Sequence, residues 1–161
     1  MNQLNIKFKK ETVNTPEKLD KTWFVDIDGT LFKHKTNVEL DYIISEFGTE
    51  SHLQENPLPE AIEFINKLPK KDRVILTTAR ESRHLAHTIR ALHHFDVRYN
   101  KIVDELGAGP RIVVNDIKPE GSAGNKKDMD TAYGMNVNRD SGELAKKYTE
   151  IEQNIQSQYN G

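Results

Sequence analysis

Apolar residues recur along this chain in short runs that alternate with longer amphipathic stretches. Two runs, Trp23–Asp26 and Arg73–Arg80, each contain three consecutive apolar residues and end in polar side chains. Runs of this kind are typical of strands buried inside a parallel sheet. The run Arg111–Asp116 also contains three consecutive apolar residues and predicts a further strand, and shorter runs at Tyr99–Val103 and Tyr133–Val137 predict two more.

Four other stretches carry apolar residues three or four positions apart, which predicts amphipathic helices. They are Val38–Phe47, Ala61–Leu68, Glu81–Phe95 and Ser141–Tyr159. Residues 49–56 and 117–130 are polar and predict loops. Because strands alternate with helices, the pattern predicts an α/β fold with a mainly parallel sheet.

The first residues of the chain are polar and rich in lysine. Leu4, Ile6 and Phe8 alternate with polar residues, so residues 1–14 predict either a short edge strand or a loose tail. The order Thr15–Pro16 is typical of a helix N-terminus, and the strand that follows leaves room only for a short helix.

Composition narrows the class of protein. The length of 161 residues predicts a single domain over residues 1–161. The net charge of −2 gives no general attraction to nucleic acid or to an anionic membrane, and the chain has no cysteine. No run reaches the ~18 apolar residues of a membrane span, and Met1–Asn5 lacks the apolar core of a signal peptide. We therefore expect a cytoplasmic protein.

Three of the predicted strands end in polar side chains suited to chemistry. Asp26 and Asp28 follow the first strand, and Thr78 and Arg80 follow the second. Asp116 ends the fourth. Neighbouring parallel strands bring their carboxyl ends to one edge of a sheet, where open α/β sheets bind ligands. The sequence therefore predicts a site at this edge.

The stretch Asp-Ile-Asp-Gly-Thr-Leu at residues 26–31 resembles the first motif of the haloacid dehalogenase (HAD) superfamily, which consists mostly of Mg²⁺-dependent phosphatases. Thr-Thr-Ala-Arg at 77–80 and Asn-Asp-Ile-Lys-Pro at 115–119 match later motifs in order. The chain looks most like small, nearly capless members, over residues 22 to about 142 and including an Asn and an Arg-Asp within Asn136–Asp140. The resemblance implies a Rossmannoid three-layer α/β/α sandwich with a minimal cap, followed by a C-terminal helix over 141–159.

The resemblance also implies a role for each acid. Asp26 is the nucleophile that forms an aspartyl-phosphate, and Asp28 protonates the leaving alcohol and then activates water. Mg²⁺, which prefers oxygen ligands, is held by Asp26, the backbone carbonyl of Asp28, and Asp116. Many relatives carry two acids in the last motif, whereas this chain has Asn115 before its acid. Asn115 would orient a metal ligand from outside the first shell of ligands.

Further residues match positions that bind the phosphoryl group. Thr78 corresponds to the hydroxyl of the second motif, and Thr77 is its alternative. Lys101 is our choice for the basic residue of the third motif, and Lys118 is its rival. The other predicted substrate contacts are Gly29, Thr30 and Arg80.

These matches predict a phosphatase acting on a small phosphorylated metabolite, with a sugar phosphate as one candidate. A nucleic-acid 3′-phosphatase of the polynucleotide-kinase type would keep the same site, but the net charge of −2 argues against a phosphate-backbone partner. A HAD-like binding module without catalysis is the alternative from a different class, and the intact acids argue against it. The exact substrate, the pathway and the oligomeric state, including a homo-oligomer, stay open.

Overall fold

The computed structural model describes residues 19–160 as a mixed α/β protein with a parallel sheet. The predictions for residues 1–14 and for a helix start at Thr15–Pro16 lie outside the described residues. The described chain divides into two compact units. The sheet unit comprises residues 20–110 and 136–146, and the second unit comprises residues 19, 111–135 and 147–160.

Three parallel strands form the sheet in the order β1-β2-β3. They are β1 Thr22–Asp26, β2 Arg73–Thr77 and β3 Lys101–Val103. The register aligns Asp26 with Thr77, and Thr77 with Val103, at the carboxyl ends. Paired residues of neighbouring strands point to the same face of a sheet, so Asp26 and Thr77 lie side by side.

The two faces of the sheet differ in exposure. Val25, Val74 and Leu76 are buried on one face, as their apolar character predicts. On the other face Phe24 is 59% exposed and Val103 is 42% exposed. Asp26 belongs to the same face as Phe24, because residues two apart in a strand share a face. Within residues 19–160, the predicted nucleophile therefore lies on the more open side of the sheet.

Helices connect and follow the strands, and all four predicted helices are confirmed. They are α1 Asn37–Phe47, α2 Pro59–Asn66, α3 Leu85–His94 and α4 Leu144–Asn160. The Thr36 hydroxyl caps α1 by accepting a hydrogen bond from the Glu39 N–H at 3.1 Å, and Gly48 ends that helix at φ 55°. The loop predicted over 49–56 is instead largely a 3₁₀ helix, Gly48–Gln54, and a second 3₁₀ turn, Ser82–His84, precedes α3.

Two predicted strands are wrong. No residue of Arg111–Asp116 or Tyr133–Val137 forms a strand in the described chain. Ile112 is 87% exposed and Val114 is 91% exposed, so the apolar run that predicted the fourth strand is not covered within residues 19–160. A strand needs a partner for its backbone N–H and C=O groups, and the local apolar pattern cannot supply one.

Candidate active site

Asp26 ends β1 at the carboxyl edge of the sheet, where its side chain is exposed. The Thr30 hydroxyl donates to Asp26 Oδ2 at 3.4 Å. The loop turns sharply at Gly29, whose φ of 82° is strained for any residue with a side chain, and the Gly29 N–H donates to the Phe32 carbonyl at 2.7 Å. Leu31 and Phe32 are fully buried, so they anchor the loop that carries the first motif.

Asp28 is held by an arginine that comes from the end of the neighbouring strand. Arg80 Nε donates to Asp28 Oδ2 at 2.9 Å, and Arg80 NH2 donates to Oδ1 at 2.8 Å. The Lys35 N–H adds a long contact of 3.4 Å to Oδ1. A planar guanidinium that grips both oxygens of a carboxylate fixes its orientation as well as its position. The Asp28 side chain remains 14% exposed, at the rim of this edge.

Arg80 itself is buried, with only 2% of its surface exposed. Its NH1 donates to Glu55 Oε2 at 2.6 Å and to the Thr88 hydroxyl at 3.0 Å. Burial alone would lower the pKa of Arg80, but the bonds and charges of Asp28 and Glu55 raise it, so the group stays a cation. The bonds of Arg80 go to protein groups, and its predicted contact with a substrate stays a prediction.

Glu55 continues this chain of buried polar groups. His87 Nε2 lies 2.7 Å from Glu55 Oε2, and His87 Nδ1 lies 2.7 Å from the Ser51 hydroxyl oxygen. Both ring nitrogens of His87 are therefore within hydrogen-bond distance of a buried partner. Burial would raise the pKa of Glu55, but the His87 bond and the Arg80 charge together lower it to about 2.

Ser51, His87 and Glu55 are the residue types of a hydrolase triad, and their contacts run in the same order. Ser51 is fully buried, and His87 and Glu55 are 1% and 3% exposed. No substrate can reach a hydroxyl that has no exposed surface. The three residues therefore support Arg80 from inside the protein and do not form a second active site.

The two candidate hydroxyls of the second motif have different surroundings. Thr77 is half-buried and is paired with Asp26 in the register of β1 and β2, so the two lie in one row across the sheet. Thr78 is 1% exposed, its N–H donates to the Val103 carbonyl at 2.9 Å, and its hydroxyl accepts from the Arg80 N–H at 3.1 Å. The register thus brings Thr77 next to Asp26, whereas Thr78 supports the turn that leads into Arg80.

Lys101 lies two residues back from the carboxyl edge, at the start of β3, with an exposed side chain. It is aligned with Ile75, and Ile75 is aligned with Phe24. Strand spacing and rise place its Cα roughly 12 Å from that of Asp26, on the same face. An extended lysine would have to reach diagonally across β2, so its role as the basic residue stays a prediction.

Asn115, Asp116 and Lys118 belong to the second unit. There the Thr131 hydroxyl donates to the Asp116 carbonyl, and the Asn115 side-chain amide donates to the Thr131 carbonyl at 3.4 Å. Lys118 exchanges two backbone hydrogen bonds with Met129, both at 2.9 Å. The predicted places of Asp116 at the metal and of Lys118 at the phosphate stay predictions.

Two neighbouring residues, Arg139 and Asp140, contact the first motif directly, and the sequence analysis assigned neither of them a role. The Asp140 N–H donates to the Gly29 carbonyl at 2.8 Å, and the Asp140 carboxylate accepts from the His34 N–H at 2.8 Å. Arg139 lies against Gly29, with its Cγ 3.1 Å from the point where a Cβ would be. The match over Asn136–Asp140 was the available signal, but nothing in the local sequence shows that this segment folds back onto residue 29.

The oxygen donors around Asp26 meet part of what Mg²⁺ requires of a binding site. Among residues 19–160 no three His, Asp or Glu side chains cluster in a way that would hold a metal ion. Mg²⁺ in proteins commonly takes only one or two carboxylates and keeps several waters. The exposed Asp26 carboxylate and the carbonyl of Asp28 are ligands of that kind, and the Asp28 side chain is occupied by Arg80. The sheet unit therefore fits part of the predicted ligand set.

No family model, curated protein or solved structure matches this chain. None of the helices in residues 19–160 has both the length and the apolar character that a membrane span requires.

Proposed function

We propose that this chain is a Mg²⁺-dependent phosphomonoester hydrolase of the HAD type that works through an aspartyl-phosphate on Asp26. The observation that supports it most directly is at the carboxyl edge of the sheet. An exposed Asp26 ends β1, and both oxygens of Asp28, two residues later, accept from Arg80, which lies three residues beyond the end of β2. A small phosphorylated metabolite is the proposed substrate and the cytoplasm the proposed location. The Rossmannoid sandwich with a minimal cap is the proposed fold around the three strands.

The proposed reaction has two steps that share one acid. The first step starts with Asp28 in its protonated form. An Asp26 oxygen attacks the phosphorus, the bond from phosphorus to the ester oxygen breaks, and Asp28 gives its proton to the leaving alkoxide. Water then attacks the phosphorus of the aspartyl-phosphate while Asp28 takes a proton from it. The bond from phosphorus to the Asp26 oxygen breaks, which releases inorganic phosphate and restores Asp26 and the protonated Asp28. Both steps need Asp28 in one fixed place, and the bidentate Arg80 pair supplies such a place.

Positive charge must offset the repulsion between a carboxylate nucleophile and a phosphate dianion. Mg²⁺, when bound, would supply that charge beside Asp26. Thr77 lies in the same row as Asp26 and is half-buried, so its hydroxyl is favourably placed to donate to a phosphoryl oxygen. Arg139 lies over Gly29 and has an exposed side chain, which makes it a further candidate contact for an anionic substrate.

The test is hydrolysis of p-nitrophenyl phosphate by the wild type and by Asp26→Asn, each with Mg²⁺ and with EDTA. We expect turnover by the wild type with Mg²⁺ alone, and a loss of at least about 1,000-fold in the variant, because no nucleophile remains. Asp20→Asn is the matched control, since it changes an exposed aspartate just before the other end of β1 and should leave turnover unchanged.

The result that contradicts the proposal combines two observations. One is no turnover of p-nitrophenyl phosphate by the wild type. The other is no Mg²⁺-dependent binding of vanadate, which resembles the phosphoryl group during its transfer, or of fluoroberyllate, which resembles the phosphoryl group bound to Asp26. Both together would favour the binding-module alternative.

A further inference from the structure

A continuous chain of buried side chains ends at Asp28. It runs from Ser51 through His87 and Glu55 to Arg80, with successive contacts of 2.7, 2.7 and 2.6 Å, and then to Asp28 at 2.8 and 2.9 Å. The first four members are 3% exposed or less. Only Asp28, at the far end, reaches the surface.

The guanidinium of Arg80 is planar and rigid, so it couples the position of Asp28 to that of Glu55. One edge, through NH1, is fixed by Glu55 and by the Thr88 hydroxyl. The opposite edge, through Nε and NH2, holds the two oxygens of Asp28. A rotation or shift of the plane at Glu55 would therefore displace the Asp28 carboxylate directly.

Stability alone is a weak reason to bury such a group of charges. Removing charged groups from water is costly, and well-packed apolar side chains can replace a buried ion pair with little loss or even with a gain. Glu55 Oε1 also has no hydrogen-bond partner among the described residues, which adds to the cost of burying this glutamate. The buried polar side chains end at Asp28, the predicted acid–base group, and holding that group in place would explain why they are buried.

We propose that Glu55 is a positioning residue for Asp28, acting through Arg80, with His87 and Ser51 holding Glu55 in turn. This inference rests on the proposed function, in which Asp28 gives its proton to the leaving alcohol. Misplacing the acid by about 1 Å is enough to cost on the order of 100-fold in rate. The loss should depend on how much the leaving group needs that proton.

The test therefore compares two substrates, glycerol 2-phosphate and p-nitrophenyl phosphate. An alkoxide leaving group needs the proton of Asp28, whereas p-nitrophenolate leaves readily without it. In Glu55→Leu, which keeps the bulk but removes both oxygens, kcat/KM for glycerol 2-phosphate should fall about 100-fold. For p-nitrophenyl phosphate kcat/KM should fall less than about 3-fold, since it reports the steps up to phosphoryl transfer to Asp26.

Two further variants separate positioning from folding. Glu55→Gln keeps an oxygen that can accept from Arg80 and His87, so it should restore most of the glycerol 2-phosphate rate. Asp72→Leu removes a different buried carboxylate, just before β2, which accepts from Trp23 Nε1 at 3.0 Å. This variant should be less stable than the wild type, and its kcat/KM should fall by the same factor for both substrates. If Glu55→Leu does not fold, Thr88→Val removes one Arg80 contact with little change in shape and should show the same bias between substrates.

The outcomes for the two proposals are distinct. A wild type that hydrolyses neither ester with Mg²⁺ contradicts the proposed function. Equal losses on both substrates in Glu55→Leu, or in Thr88→Val, overturn the positioning role. Crystal structures of these variants decide it independently of activity. The role requires the Asp28 carboxylate to shift or lose its bidentate bond to Arg80, and an unchanged Asp28 overturns it.

Discussion

At the scale of single residues, Thr77 and Thr78 have different surroundings, because alternate side chains of an extended chain point to opposite faces of the sheet. Thr77 lies in the row of Asp26, and Thr78 is buried with its hydroxyl bonded to the Arg80 N–H. The residue order at 77–80, which resembles a HAD motif, favours Thr78 as the phosphoryl contact. The register favours Thr77, because it shares a row with the predicted nucleophile.

Matched valine substitutions distinguish the two hydroxyls. Thr77→Val should lower kcat for p-nitrophenyl phosphate about 10-fold, since one donor to the phosphoryl group is lost, with unfolding free energy nearly unchanged. Thr78→Val should reduce the unfolding free energy by about 1–2 kcal/mol, because the Arg80 N–H loses its acceptor in a buried place. Urea unfolding and steady-state kinetics on both variants provide the measurements. A large loss of kcat in a fully stable Thr78→Val would restore the motif-based assignment.

The residues of the site differ in how far sequence could identify them. Asp26, Asp28 and Arg80 stand at the ends of recognisable apolar runs, so both the pattern and the motif point to them. Glu55 lies in a polar stretch with no periodicity, 25 residues from Arg80. Its partner becomes evident only when the chain is folded, because an ion pair between distant residues leaves no local pattern.

At the scale of elements, a segment's own pattern predicts helices better than strands. The helices α1 and α2 carry their signals locally, in Thr36 as a cap, Gly48 as a stop and Pro59 in the first turn. A strand depends on a partner elsewhere in the chain. The apolar run Arg111–Asp116 has the composition of a strand but forms no strand in the described chain.

The contacts of Glu55 also join the 3₁₀ helix Gly48–Gln54 to α3, through Ser51 and His87. Since folding lowers the pKa of Glu55 from 4.5 to about 2, its ionised form stabilises the folded state above about pH 4.5. That stabilisation is lost as the pH falls towards 2, because the proton then binds the folded state as well. The shift corresponds to about 3 kcal/mol across this window.

Urea unfolding between pH 2 and 5 measures this linkage. The wild type should lose stability steadily as the pH falls, and Glu55→Gln should lose less over the same range, because it has no proton to bind at this position. Asp41, Glu63 and Glu105 also have lowered pKa values, but they are exposed and are present in both proteins, so they cancel in the comparison. Parallel stability curves for the two proteins would contradict the assignment of the low pKa to Glu55.

At the scale of the whole molecule, charge bears on the choice between the proposed metabolite phosphatase and the alternative nucleic-acid 3′-phosphatase, which would share the proposed site. The chain has 23 lysine and arginine residues against 25 aspartate and glutamate residues. A protein that binds a nucleic-acid backbone gains much of its affinity from released counterions, and this gain falls steeply as salt rises. A net charge of −2 offers little general attraction of that kind.

A substrate pair tests this directly. A 3′-phosphorylated single-stranded oligonucleotide and the corresponding mononucleotide 3′-phosphate present the same reacting group, but only the first adds a backbone. We expect kcat/KM values within about 3-fold of each other, and a ratio that changes little between 50 and about 200 mM salt, because no extra phosphates are neutralised. A nucleic-acid phosphatase would instead favour the oligonucleotide by at least about 10-fold at low salt and lose that preference as salt rises. Since the reacting phosphate is identical, such a preference could come only from contacts with the backbone or the neighbouring bases, and it would replace the small metabolite with nucleic acid as the substrate.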